Sequence, residues 1–379
     1  MKVVVAIDSL KGSLSSLEAG NAIKQGIKRV YQDAKIIVKP LADGGEGTVE
    51  ALVSGMNGKI EIVVATGPLG DKIESSYGII PEKRLAIMEM ASIAGITLLS
   101  LKQRNPLYTT TYGLGEMIKD AISKGCNNFI IGIGGSATND GGIGMLQALG
   151  FDLLDKDGNQ VPLGARGLKD LVKIGDKNVL PELKKCQFKI ACDVTNVLCG
   201  ENGCSVVFGP QKGATSQMIK DMDQWLYNFA NLAKKKYPHS DTLVPGTGAA
   251  GGLGFAFLTF VKATLESGID IILETIDLKS DLKDVDVVVT GEGCLDRQSA
   301  MGKAPVGVAK MAKLYNKPVI AFAGSVTKEA KLCNQEGIDA YFPIIRNITT
   351  LQEAMAKENA KNNLTDTVEQ VFRLWKIKQ

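Results

Sequence analysis

Histidine is nearly absent from this chain: His239 is the only one in 379 residues. A general base working near neutral pH is therefore expected to be an aspartate or a glutamate. Cysteine is present without pattern. The seven cysteines (126, 186, 192, 199, 204, 294 and 333) are an odd number with no CxxC pair, so a disulfide framework is not expected and a reducing compartment fits better. Only Cys199 and Cys204 lie at a metal-like spacing, and one pair with one histidine does not make a zinc centre. Charge of one sign is lacking too: a formal net charge of +3 gives no reason to expect a nucleic-acid or acidic-membrane partner. Long hydrophobic runs are missing. The longest uncharged stretch, 242–261, contains Pro245 and glycines 246, 248, 251, 252 and 254, which reads as a loop entering a helix rather than a membrane span. An unbroken run of five apolar residues before Asp8 is too short for a signal-peptide core, and a cytoplasmic protein is expected. There is no GxxxxGK[ST], no HRD/DFG set and no GxGxxG after the first apolar run. Those absences argue against a P-loop protein, a protein kinase and a dinucleotide fold respectively.

What is present is an ordinary globular composition, 45% hydrophobic and 22% charged, on a chain long enough for two domains. Its focal stretch is residues 129–144, FIIGIGGSATNDGGIG. An apolar β-branched run breaks into glycine and small polar residues, and a helical pattern follows at 145–149. Glycine lets a backbone approach a ligand closely. Asn139 or Asp140 is placed to cap the following helix, whose N-terminal N–H groups favour an anion.

Taken in order, residues 2–7 read as a strand, continuously apolar from Val3 on, as expected of a parallel strand buried on both faces. They end at Asp8-Ser9-Leu10-Lys11-Gly12. Ser15 and Glu18 make a capping box for a helix expected to bury Leu17, Ile23, Ile27 and Val30. A second strand at 35–38 leads into Asp43-Gly44-Gly45-Glu46-Gly47-Thr48. Residues 60–65, 73–80 and 84–90 read as strands at hairpin spacing, an antiparallel or mixed section. A helix is expected over 109–125. Gly113 and Gly115 near its start lower helix propensity, so close packing or a ligand must require them. Residues 156–159 suggest a hairpin turn. A strand at 188–192 ends at Asp193, and further glycine loops stand at 209–214 and 245–252. Residues 285–289 form a strand ending at Thr290-Gly291-Glu292-Gly293. Ser299 is expected to cap a helix with Gly302, Lys303 and Pro305 in its first turn. Strands at 318–322 and 338–342 close the pattern. With two parallel-type strands near the start and three near the end, the arrangement is an α/β, doubly wound, five-stranded parallel sheet. It is interrupted by an inserted α/β domain with a mixed sheet, so that 1–58 and 275–379 form one domain and 59–274 the other.

Five of these loops, DSLKG, DGGEG, GGSATND, PQKGA and TGEGCLD, combine glycine with acids or lysines. Backbone N–H groups in such loops bind phosphate oxygens, and carboxylates such as Asp8, Asp43, Glu46, Asp193, Glu292 and Asp296 suit Mg²⁺ or proton acceptance. Phosphoryl transfer needs that mixture. The residues alone define an α/β enzyme with an anionic, phosphate-bearing ligand.

Longer stretches narrow this. AIDSLKGSLSS at 6–16, PLADGGEGT at 40–48, GGSATNDGG at 134–142, ACDVTN at 191–196, FGPQKGA at 208–214, PGTGAAGGLG at 245–254 and TGEGCLDRQSAMGKAP at 290–305 together resemble the bacterial glycerate kinase family (type I), over essentially the whole chain. The resemblance implies a flavodoxin-like domain carrying the insertion. It also implies ATP- and Mg²⁺-dependent phosphorylation of D-glycerate, with 2-phosphoglycerate the usual product. The only partner implied is the small-molecule substrate, for a monomer or homodimer with neither nucleic acid nor membrane bound.

Within that frame Asp193 is expected to orient or deprotonate the substrate hydroxyl, with Lys11, Asp43 and Glu292 beside it in catalysis. Asp43, Glu46 and Glu292 are the expected metal ligands. Gly134, Gly135, Ser136, Thr138, Asn139, Gly291, Gly293 and Lys303 are expected at the nucleotide and its phosphates, and Asp8, Ser9, Glu46 and Arg297 at the substrate. For Asp140 and Asp296 a capping or buried structural role is the competing expectation. Two other classes fit the residues less well: a nicotinamide-dependent hydroxy-acid oxidoreductase and a non-catalytic organic-acid sensor.

Overall fold

The computed structural model describes residues 1–45 and 47–377. The chain divides into two compact units, Met1–Asn57 with Ile269–Gln379, and Gly58–Gly268.

The first unit is built on five strands in the spatial order Lys35–Pro40, Lys2–Ile7, Val287–Leu295, Val319–Val326, Ala340–Pro343. All pair in parallel. Numbered within the unit this is 2-1-3-4-5, the flavodoxin-like order. The apolar run is buried on both faces as a covered parallel strand requires: Val3, Val4, Val5 and Ile7 are fully inaccessible. The helix Ser16–Lys28 starts at the Ser15–Glu18 capping box, in which Glu18 N–H donates to Ser15 Oγ and Ser15 N–H to Glu18 Oε2. Its buried stripe is Ala19, Ala22, Ile23, Gly26 and Ile27. Leu17, expected inside, is 37% exposed, because the helix turns small residues toward the sheet: a Cβ on Gly20 would meet Val38 at 2.5 Å. Ser299 is not the cap expected. Asp296 caps a short helix, Arg297–Ala300, by accepting the Ser299 N–H, and a second helix, Ala304–Lys313, begins after Lys303 with proline in its first turn.

The second unit carries six strands in the order Thr264–Glu266, Gln187–Ala191, Asn128–Gly132, Leu85–Glu89, Lys72–Ile80, Lys59–Thr66. The first four run parallel and the last two pairings are antiparallel, a mixed sheet. The turn at 156–159 exists, with Asp155 Oδ1 accepting the Asp157 and Asn159 N–H groups. The strand Asp152–Leu154, however, pairs in the main with Lys173–Gly175. The 109–125 helix is shorter than expected, Tyr112–Ser123. Packing explains its glycines: a Cβ on Gly113 would sit 1.9 Å from the Thr66 carbonyl oxygen, and one on Gly115 would sit 2.5 Å from that of Met145. Neither helix neighbour can yield, since both obstacles are backbone. Among the described residues no helix is long and apolar enough to cross a membrane.

Gly113→Ala should therefore destabilise the protein by about 2 kcal/mol or more, the scale of overpacking against a rigid neighbour, despite alanine's better helix propensity. A urea midpoint matching the unsubstituted protein would show that the close approach to Thr66 does not constrain the fold.

Candidate active site

In a doubly wound sheet, ligands bind outside the carboxyl ends of the strands, at the point where strand order reverses. In the first unit that point lies between Lys2–Ile7 and Val287–Leu295. The Asp8 N–H donates to the Gly291 carbonyl at 3.0 Å, stitching the two strand ends together. Ser16 Oγ adds a second stitch, donating to the Ile7 carbonyl at 2.8 Å and accepting the Leu41 N–H at 2.7 Å. This ties the loop carrying Asp43 to the same edge.

A cavity of about 360 Å³ opens there. It is lined by Asp8, Ser9, Lys11, Asp43, Glu292, Gly293, Asp296 and Lys303, with an apolar wall that includes Ile344, Leu351 and Met355. Three of the glycine loops are thus brought together in one unit. Two expected residues are absent from the lining. Arg297 is exposed on its short helix, and Gly291 is buried within its strand, where a Cβ would come 1.9 Å from the Phe322 carbonyl oxygen. Strand packing is what requires that glycine. Asp296 lines the cavity while its Oδ1 accepts the Ser299 N–H at 3.0 Å. Glu46 lies outside the described residues.

The electrostatics of this cavity are set by burial. Asp8 is 6% and Glu292 8% exposed. Desolvation, with Asp43 adding like charge, pushes the Asp8 carboxyl up to about 6, against the lowering effect of the Ser9 N–H. Desolvation pushes Glu292 up to about 7, opposed by the Ser299 hydroxyl and Lys303 and reinforced by Asp8 and Asp296. Glu292 Oε1 is buried with no hydrogen-bond partner among the described residues. Among the described residues no three metal-ligating side chains cluster tightly enough to hold a cation by themselves. Mg²⁺ takes one or two carboxylates and otherwise keeps water and phosphate oxygens. Asp43 and the orphaned Glu292 oxygen fit that share.

The second unit gathers the other four motifs. The loop 133–142 follows the strand Asn128–Gly132. Gly251 presses against it so closely that a Cβ would meet the Thr138 carbonyl at 2.2 Å, and the Gly141 N–H donates to the Gly251 carbonyl. The Gly248 N–H donates to the Asn196 carbonyl, tying in the fourth motif. Gly134 and Gly135 are exposed, while Ser136, Thr138 and Asn139 are buried. Asn139 is an internal brace, its Nδ2 donating to Ser205 Oγ at 2.8 Å. Asp140 is fully buried and accepts from the Thr111 N–H and hydroxyl and the Gly142 N–H; burial pushes its carboxyl upward. The helix start at Ile143 is therefore not open to an anion as the sequence suggested. Gly142, in the left-handed region, is the cap residue; Asp140 accepts the Gly142 and Gly144 N–H groups and Thr111 Oγ1 accepts that of Met145. Asp193 is exposed beyond the strand Gln187–Ala191, with Oδ1 accepting the Gly268 N–H at 3.0 Å.

One buried charged residue escaped sequence reasoning. Lys212 is 2% exposed and donates to Ser136 Oγ at 2.8 Å and to the Thr138 carbonyl at 2.6 Å. Its only signal was its place in the PQKGA loop.

At the first unit's switch point the buried carboxyls of Asp8 and Glu292 share one cavity with Lys11 and Lys303, a set of groups that a phosphotransferase acting on a small anionic substrate can use. The Glycerate kinase family matches residues 3–376. The chain is 46% identical to a glycerate kinase of Haemophilus influenzae over the full length of both proteins. It is 47% identical to the Escherichia coli glycerate 2-kinase and to a Bacillus subtilis glycerate kinase, each over 93% of both chains. A crystal structure described as a glycerate kinase 2 from Salmonella typhimurium LT2 superposes with a TM-score of 0.93 at 46% identity, covering 100% of this chain and 99% of the other. The chain belongs to the glycerate kinase family. It is a kinase, which removes the oxidoreductase and sensor alternatives.

The raised carboxyl of Glu292 has a stability consequence. Its protonated form is favoured in the folded state, so its contribution is fully present below the unfolded value near 4.5 and is lost as pH rises through about 7. Glu292→Gln should then stabilise the protein by on the order of 1–3 kcal/mol at pH 8 and by almost nothing at pH 4, while activity falls. Equal urea midpoints for the two proteins at pH 8 would contradict the assignment.

Proposed function

We propose that this kinase transfers the γ-phosphoryl group of ATP to the 2-hydroxyl of D-glycerate, giving 2-phosphoglycerate. The observation that carries this is the 360 Å³ cavity in which two nearly inaccessible carboxyls meet two lysines. It has the scale and polarity for a three-carbon hydroxy acid rather than a macromolecule. The name of the Escherichia coli relative, a glycerate 2-kinase, supports the choice of hydroxyl.

Roles follow from chemistry. Lys11 and Lys303 neutralise the substrate carboxylate and the transferring phosphoryl group. Asp8 and Ser9 accept and donate hydrogen bonds at the substrate hydroxyls. Asp193 is assigned the hydroxyl proton: it is exposed, and one oxygen is held by the Gly268 N–H, which orients the carboxylate. Gly134, Gly135, Ser136 and Thr138 form the phosphate-binding turn, and Gly293 offers a close backbone approach. Asp43 and Glu292 would hold Mg²⁺, with Glu46 a further candidate; the bound ion neutralises phosphate charge. The reading includes a cytoplasmic enzyme, monomeric or homodimeric.

Incubation with D-glycerate, ATP and Mg²⁺, followed by phosphorus NMR, should show the 2-phospho isomer accumulating as ATP is consumed. Appearance of 3-phosphoglycerate alone would overturn the regiochemistry. Asp193→Asn keeps an acceptor for the Gly268 N–H and should fold normally, yet lose at least about 10²-fold in kcat. A folded variant with near-normal kcat would remove Asp193 from the role.

A further inference from the structure

A cation buried away from water is costly unless it is paired. Lys212 has no carboxylate within ion-pair distance among the described residues; its hydrogen bonds go to Ser136 Oγ and the Thr138 carbonyl. The ionisable groups that face it are Cys204 and Asp140. Asp140 is already engaged with Thr111 and the Gly142 N–H, and the Cys204 thiol, raised to about 11 by burial, is neutral.

The acceptor side of this arrangement is unfinished. Ser136 Oγ accepts from Lys212, and the hydroxyl's own proton has no acceptor among the described residues. Thr138 Oγ1 is buried with no hydrogen-bond partner among the described residues either. Next to them Gly134 and Gly135 are exposed. Gly134 has open space where a Cβ would stand, and Gly135 lies in the left-handed region with φ +70°. A built positive charge, a spare hydroxyl proton and a bare stretch of backbone converge on one turn.

We propose that Lys212 is the buried counter-charge of this turn, acting on a bound nucleotide phosphate through Ser136 without touching it. The Nζ–H donates to Ser136 Oγ, and the Ser136 O–H, polarised by that bond, donates to a phosphoryl oxygen. Lys212 is thus a positioning residue. The inference rests on the phosphate-binding reading of the 134–138 turn given above. It also accounts for the state of the lysine before ligand arrives. Burial holds its ammonium down at about 8, and an anion on the turn supplies the missing opposite charge and raises it.

The test compares Ser136→Ala, Lys212→Met, their double variant and Lys212→Arg. Each of the first two should raise the KM for ATP about tenfold or more, the size of one charge-assisted hydrogen bond, with the KM for glycerate within about twofold. Because both act through one bond, the double variant should be no worse than the worse single. Lys212→Arg should recover most of the loss. If Ser136→Ala leaves the KM for ATP unchanged, the phosphate-binding reading of the turn fails and takes this inference with it. If Ser136→Ala raises it but folded Lys212→Met does not, or the two effects multiply, only the role of Lys212 is overturned. A measurement on the unsubstituted protein decides the matter even where Lys212→Met does not fold. In ¹³Cε-lysine NMR, the resonance missing from Lys212→Arg should titrate near 8 without ligand and above about 9 with saturating ATP. An unchanged midpoint contradicts the proposal.

Discussion

Removing a carboxylate from water at the end of a parallel strand is the constraint on which the first unit turns. Asp8 and Glu292 stand on neighbouring strands joined by the hydrogen bond from Asp8 N–H to the Gly291 carbonyl. Each is almost wholly covered. Left charged and unpaired, they cost stability, and their raised carboxyls are the visible sign. The surrounding fold holds them there nonetheless. The fully buried valines beneath them, the Ser16 stitch and the glycine at 291 leave the strand ends little freedom to relax. Such a site trades stability for a charge distribution that a cationic metal and an anionic substrate can complete.

The second unit meets the same problem with the opposite sign. There the buried charge is an ammonium, and a hydroxyl and a peptide carbonyl hold it. The 133–142 turn is braced from both sides: Lys212 grips Ser136 and Thr138, while Asp140 collects the N–H groups that open the next helix. Gly251 and Gly113 show how tightly the neighbouring backbone is laid against these elements. Gly113, Gly115 and Gly251 answer packing.

Much of this was legible in residue order. Short apolar runs marked the five parallel strands, and their split between the chain's two ends announced an insertion. Clusters of glycine with acids marked the loops that the cavity and the 133–142 turn now contain. Legibility failed where the deciding contact is distant along the chain. The lysine at 212 finds its partners 74 and 76 residues away, and no local period encodes that. Gly291 looked like a phosphate glycine because it stands beside Glu292; only the Phe322 carbonyl of the adjoining strand shows why a side chain is forbidden. Leu17 was misplaced for a related reason. A helix that packs closely through Gly20 turns its small residues inward and leaves a larger one at the surface.

The account stands on the two covered carboxyls of the first unit, and their titration examines it most directly. Carbon-13 NMR of the side-chain carboxyls, assigned with Asp8→Asn and Glu292→Gln, should show midpoints of about 6 and about 7 in the ligand-free protein. Midpoints near 4 for both would mean that these groups are solvated, and the switch-point cavity would then lack the electrostatic character on which its chemistry has been built.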